Sequence, residues 1–282
     1  MATMAVRDGV GGMIAGWRKA RRLSQLALAG DSGISARHLS FLESGRSKPS
    51  REMVLRLCEA LEVPLRERND FLLAAGYAPL FRESDYEAPE MEEALAALRL
   101  ILGQHDPMPA VAMDTRWNYV MVNRAYAAFM SLLEPGVVPG GPIIPLDLIR
   151  EPRPNQLRLL CQPGGYRRIC SNWTEVVPVM LARIAAEVHN DADEGRRSLL
   201  AECLAYPGVP PLKRGPEGAA GSGQLIIPVE IGQGAGRIRM FSTVATLGTA
   251  QDIILRDLRI EMFHPASPGD LKRIMAQAGS NS

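Results

Sequence analysis

The sequence predicts two domains: an all-α bundle of five helices, then an α+β domain with a five-stranded antiparallel sheet and helices on one face. Three observations carry this. Serine caps, turn glycines and apolar residues at helical spacing punctuate residues 13–78. Two short runs, Ala110–Asp114 and Trp117–Val122, are joined by a DTRW turn and read as a strand hairpin. Strand-like runs return at Gln224–Ile231, Arg237–Leu247 and Asp257–Phe263 after a long helical middle. A length of 282 residues suits two domains. The expected boundaries are a flexible tail over 1–12, the bundle over 13–78, a linker over 79–90, the second domain over 91–265 and a C-terminal tail over 266–282.

Within the bundle, helix one begins near Met13 and turns Met13, Ile14, Trp17 and Ala20 inward. Ser24 caps a short helix ending near Gly30, because its hydroxyl can accept from an orphan N–H of the first turn. Gly33 supplies the positive φ of a sharp turn. Ser35 caps a third helix that ends near Gly45, a residue suited to the left-handed stop. Ser50 caps the fourth, whose Val54, Leu57, Cys58 and Leu61 share one face, so Cys58 reads as a small core residue. A fifth runs from about Leu65 to Ala75 and stops at Gly76.

A short helix, a tight turn and a second helix make the unit that lays its second helix in the major groove of double-stranded DNA. Ile34, Leu39 and Leu42 point inward against Leu28 and Ala29, which leaves Ala36, Arg37, His38, Ser40 and Phe41 facing outward beside the cap Ser35. Arginine and serine can hydrogen-bond base edges, and alanine and phenylalanine can touch a thymine methyl. Phosphate contact falls to Gln25 at a helix start and to Arg46, Ser47 and Lys48 past the reading helix. The bland alternative is a helical hairpin with a solvated basic loop.

The second domain opens with an alanine- and leucine-rich helix over Glu90–Gln104. After the hairpin, a helix over Asn123–Leu133 follows at once. Residues 155–205 read as helical, with breaks near 162–166 and 190–194. Residues 207–223 are a Gly/Pro-rich loop, and GQGAG at 232–236 reads as a hairpin turn. Trp117, Tyr119, Met121, Tyr126, Phe129, Trp173, Val177, Met180 and Phe241 offer a deformable apolar wall for a small greasy ligand. The same residues can equally fill a core. Arg158, Arg168 or Asn172 can meet a ligand carboxylate at the pocket mouth.

Composition limits the alternatives. Apolar residues make up 46% of the chain, enough for real cores, and no apolar run is long enough to span a membrane. The N-terminus lacks the apolar core of a signal peptide, and the four cysteines form no Cys-x-x-Cys pair, which points to a cytoplasmic protein with reduced thiols and no metal. Residues 1–80 hold 12 lysines and arginines against 8 acids, a net +4 in a chain whose total is +1. A basic head on a slightly acidic body suits phosphate contact at one end only. The excess is small, so binding calls for two heads and hence a homodimer on a two-fold operator. No nucleophile elbow, His-Glu-x-x-His or phosphate loop is present, so no enzyme is expected.

Residues 13–63 resemble the lambda-repressor/Cro-like helix-turn-helix domain. The segment RHLSFLESGRSKPSREMVLRLCEALEVPLRERNDFLLAAGYAP, residues 37–79, resembles the N-terminal domain of MmyB-like bacterial transcription regulators. The likeness continues more weakly over 90–265, through Asn172–Trp173 and FSTVATLGTAQD at Phe241–Asp252. The resemblance implies that Arg18 pairs with Glu43. It also implies a PAS-like ligand-binding second domain that holds an apolar molecule such as a fatty acid, with no obligatory cofactor. A second reading makes that domain a dimerisation or protein-interaction module alone, with constitutive DNA binding.

Overall fold

The computed structural model describes residues 2–141, 143–189, 194–212, 228–248 and 252–280. The chain divides into two units, residues 1–84 with 249–253 and residues 85–248 with 254–282.

The first unit holds α1 (Ala2–Ala20), α2 (Gln25–Asp31), α3 (Ala36–Glu43), α4 (Arg51–Ala60) and α5 (Leu65–Ala74). The three serine caps form as expected. Ser24, Ser35 and Ser50 accept from the N–H groups of Ala27, His38 and Met53 at 3.0, 3.1 and 3.2 Å. Gly33 has φ +66° in the turn and Gly45 has φ +73° after α3. Ile14, Leu28, Leu39, Leu42, Leu57, Cys58, Leu61, Phe71 and Leu72 are fully or almost fully buried in one core. Met13 and Trp17 pack against it, and Trp17 meets Phe71 edge-on with centroids 6.4 Å apart.

The expected tail over 1–12 is not what this segment forms. α1 extends back to Ala2, with a break at Gly9, where φ is 63° and ψ is 178°. The reason lies in packing. A Cβ at Gly11 would stand 2.3 Å from the Leu42 carbonyl oxygen and 2.9 Å from that of Glu43. Gly11, one of the glycines that suggest floppiness, thus permits α1 to pass against the end of α3. The expected linker is also tied down at its start: Asn69 Oδ1 accepts from the N–H groups of Leu80 and Phe81, each at 3.0 Å, and Asn69 Nδ2 donates to the Phe81 carbonyl at 2.7 Å.

The second unit is built on an antiparallel sheet of order β2-β1-β5-β4-β3, formed by β1 (Ala110–Met113), β2 (Tyr119–Val122), β3 (Val229–Ile231), β4 (Ile238–Ala245) and β5 (Arg259–Pro265). Residues 224–227 of the expected third strand, the loop over 213–223 and the break over 190–193 lie outside the described residues. The helices are α6 (Glu92–Gln104), α7 (Arg124–Met130), α8 (Gln156–Cys161), α9 (Trp173–His189), α10 (Glu194–Ala205), the short α11 (Ile253–Asp257), whose first residue is counted with the first unit, and α12 (Pro268–Ser280). Asn123 caps α7 and also accepts from the Ala110 N–H at 3.0 Å, which ties that helix to β1.

The sheet forms as expected, but its helices lie on both faces. Val111 and Met113 share a cluster with Tyr126, Trp173 and Leu181 from α7 and α9. The intervening Ala110 and Ala112, with Ile260 beside them, pack on Leu98 and Leu102 of α6. Strand alternation sends successive residues to opposite faces. All four residues of β1 are buried, so β1 is covered on both sides. The expected C-terminal tail is instead largely the helix α12. Its Ile274 packs on Ile238 and Met240, and its Asp270 accepts from the Arg239 N–H at 3.1 Å.

Candidate nucleic-acid interface and ligand pocket

One ion pair ties together the elements around α2 and α3. Arg18 of α1 donates from Nε to Glu43 Oε1 at 2.6 Å and from Nη2 to Oε2 at 2.9 Å, while Nη1 reaches the Leu23 carbonyl at 2.9 Å. Gln25 Nε2 adds a third bond to Glu43, at 2.8 Å. Burial pushes the Glu43 carboxyl up, but the bonds from Arg18 and Gln25 outweigh it and hold the group below its ordinary range. One carboxylate therefore joins α1, the start of α2 and the end of α3.

Above this lock, α3 presents its outer face. Leu39 and Leu42 are buried beneath it. Arg37 is exposed, and its guanidinium lies over the Phe41 ring, 5.5 Å from the centroid. His38, Ser40 and Phe41 are half-buried, and Arg46 and Lys48 stand exposed on the following loop with half-buried Ser47 between them. The loop folds back, with the N–H groups of Arg46 and Ser47 donating to the Phe41 carbonyl at 2.8 and 3.2 Å. Three expected contact residues are otherwise engaged. Ala36 packs against the core rather than facing fully outward, the Ser35 hydroxyl is used as the cap, and the Gln25 side chain is turned onto Glu43.

In the second unit, Trp117, Tyr119, Tyr126, Phe129, Trp173, Val177 and Met180 do come together on one face of the sheet. Met121 does not join them. It packs on the opposite face, in the cluster under α6. Phe241 also stands apart, stacked on His264 with centroids 5.3 Å apart. Phe241 departs because the period of two does not say which side of β4 the helices cover. Met121 departs because the β1–β2 register shifts between Ala112 and Met113, a bulge that puts Tyr119 and Met121 in different clusters.

Much of the aromatic group is filled core. The hydroxyls of Tyr119, Tyr126 and Tyr166 meet at 2.5 to 2.9 Å, and Gln156 Oε1 accepts from Tyr126 at 3.1 Å and also from Tyr119. Burial holds all three phenols well above the ordinary tyrosine range. Trp173 Nε1 donates to the Leu160 carbonyl at 2.7 Å. Beside this network lies a cavity of about 50 Å³, lined by apolar side chains including Trp117, Leu157 and Met180 and by the polar Gln156, Arg183, Arg259 and Glu261. Glu261 is only 7% exposed. Burial pushes its carboxyl up, against the opposing pull of the Ser242 hydroxyl and the Arg183 charge.

Sequence reading missed these four polar residues, because their segments show only apolar periodicity. The three residues expected at a pocket mouth are paired elsewhere. Arg158 binds Glu202 and Arg168 binds Glu134, each at 2.8 Å, and Asn172 holds the Pro228 carbonyl at 2.8 Å and the Glu230 N–H at 3.0 Å. Among the described residues, no three His, Cys, Asp or Glu side chains are grouped to hold a metal ion, and no helix is long and apolar enough to cross a membrane.

Two family models match the chain. Residues 95–274 match the MmyB-like transcription regulator ligand binding domain, and residues 14–68 match the helix-turn-helix family. Neither is an enzyme family. No curated protein matches.

Proposed function

The chain belongs to the MmyB-like transcription regulators, and from that premise we propose that it binds specific sites in double-stranded DNA under the control of a small apolar ligand. The observation that carries the reading is the outer face of α3. Arg37, Ser40 and Phe41 stand on a helix whose other side is buried, whose end is tied to α1 through Glu43 and whose following loop carries Arg46 and Lys48. Such a face can enter a major groove, with the two loop cations on flanking phosphates. A homodimer would place two such faces on a two-fold operator, with half-sites about 34 Å apart.

The ligand, fatty-acid-like in this reading, would enter beside Trp117 and Met180 and favour one of two arrangements of the DNA-binding heads. The protein would act in the cytoplasm without an obligatory cofactor. Selection of duplexes from a randomised pool by the full-length chain tests DNA binding; failure to enrich any sequence refutes it. Native mass spectrometry followed by organic extraction tests the ligand.

The cavity size favours a second reading. About 50 Å³ is far below the roughly 150 Å³ that admits a benzene-sized molecule. On that reading the second domain serves dimerisation or protein interaction alone, and DNA binding is constitutive. An extract holding no stoichiometric small molecule, with DNA affinity unchanged by added alkanoates, would select it.

A further inference from the structure

Arg37 and Phe41 lie four residues apart on α3, and the guanidinium of the first covers the ring of the second at 5.5 Å. A guanidinium within about 6 Å of a ring centroid is attracted by the ring's negative face, and with five N–H donors it keeps some for another partner. Arg37 therefore still has N–H donors for a second partner, and its long side chain has already given up part of its rotamer freedom before that partner arrives. Phe41 is held in turn by its helix, since neighbouring Leu42 is almost fully buried and Glu43 is locked by Arg18.

Resting on the reading that α3 enters a major groove, we propose that Arg37 and Phe41 form one coupled reader of guanine and thymine. Arg37 donates to O6 and N7 of a guanine. The edge of Phe41 left open by the guanidinium packs on the 5-methyl group of a nearby thymine. Four helical residues advance about 6 Å, close to two base-pair steps of about 3.4 Å, so the two bases lie within two steps of each other. Phe41 is also the positioning residue for guanine recognition: it cannot hydrogen-bond the base, yet it sets the angle of the guanidinium that does.

This differs from two side chains reading independently, and the difference is measurable. The full-length protein first selects duplexes from a pool with a randomised centre. The selected sites are expected to carry guanine and thymine within two steps in each half-site. Placing 7-deazaguanine at that guanine removes N7 and should weaken binding about tenfold. Uracil in place of the thymine removes one methyl and should weaken it about fourfold. These substitutions leave the protein untouched, so they report whatever the variants do.

Phe41→Leu keeps an apolar contact for the methyl but removes the ring face. It should preserve most of the thymine-over-uracil ratio while lowering guanine discrimination about fivefold or more. Arg37→Ala should abolish the guanine preference. Selected sites without the guanine–thymine pair, indifference to 7-deazaguanine, or unchanged guanine discrimination in Phe41→Leu would each overturn the proposal while leaving DNA binding standing. A pool from which nothing is enriched would bring down the groove-reading premise itself.

Discussion

Arg18 and Glu43, 25 residues apart in sequence, form a two-pronged ion pair at 2.6 and 2.9 Å with side chains only 12% and 8% exposed. A pair this enclosed differs from a surface salt bridge, because removing one partner leaves the other charge with little water. Arg18→Ala should cost about 2–3 kcal/mol in urea unfolding, and it should weaken DNA binding through the placement of α3. A cost below about 0.5 kcal/mol would show the pair to behave as if exposed.

The same pair sets an acid limit. The Glu43 carboxyl lies below its ordinary value in the folded state, so its contribution is fully present above the unfolded carboxylate range, about pH 4.3, and is lost as pH falls through the folded value. Glu43→Gln should flatten that part of the acid-side stability profile, read from urea midpoints at successive pH values.

Two glycines of α1 should respond in opposite directions. Gly11→Ala would set a methyl against the Leu42 and Glu43 carbonyls, which are backbone atoms at the end of α3, and should destabilise by about 2 kcal/mol or more. Gly16 faces open space inside the same helix, so Gly16→Ala should stabilise by about 0.5–1 kcal/mol. Thermal unfolding of the two variants checks both signs.

Arg46 and Lys48 stand exposed on the loop after α3. Replacing Arg46 with alanine should weaken all duplexes about equally. It should also reduce the slope of log K against log salt by about 0.9 for each phosphate that the arginine neutralised. Titrations at several salt concentrations, on a selected and an unrelated duplex, separate this from a loss of base reading.

The three buried phenols predict an alkaline limit. Their folded pKa values are raised, so their contribution is present below the ordinary tyrosine value, about pH 10, and is lost as pH climbs above it. Ultraviolet titration should show Tyr119, Tyr126 and Tyr166 ionising only as the second domain unfolds. Tyr119→Phe, which breaks up the shared network, should cost about 1–3 kcal/mol.

Local signals were legible where one residue type has one job. Ser24, Ser35 and Ser50 cap as read, Gly33 and Gly45 take positive φ, and Cys58 fills the bundle core. The antiparallel sheet followed from alternation and turn chemistry. Gly11 misled because a glycine required for close approach looks in sequence like one that loosens a chain. Phe241 misled because alternation does not state which side the helices cover, and Met121 because the register shift at Ala112/Met113 interrupts its alternation with Tyr119. Gln156, Arg183, Arg259 and Glu261 carry no periodic signal, and they meet only through long-range strand and helix packing.

By itself, then, the chain's order of residues determined the caps, the turn between α2 and α3, the apolar faces and the two-domain plan, since each depends on neighbours within a few positions. Tertiary structure alone decided that Gln25 faces Glu43, that α6 covers the far side of the sheet, and that an acid and two guanidiniums line a cavity beside Trp117. The physical reason is range. Capping and periodicity are settled by local backbone geometry, whereas burial of a charge or a choice of sheet face is settled by competition among segments far apart in the chain.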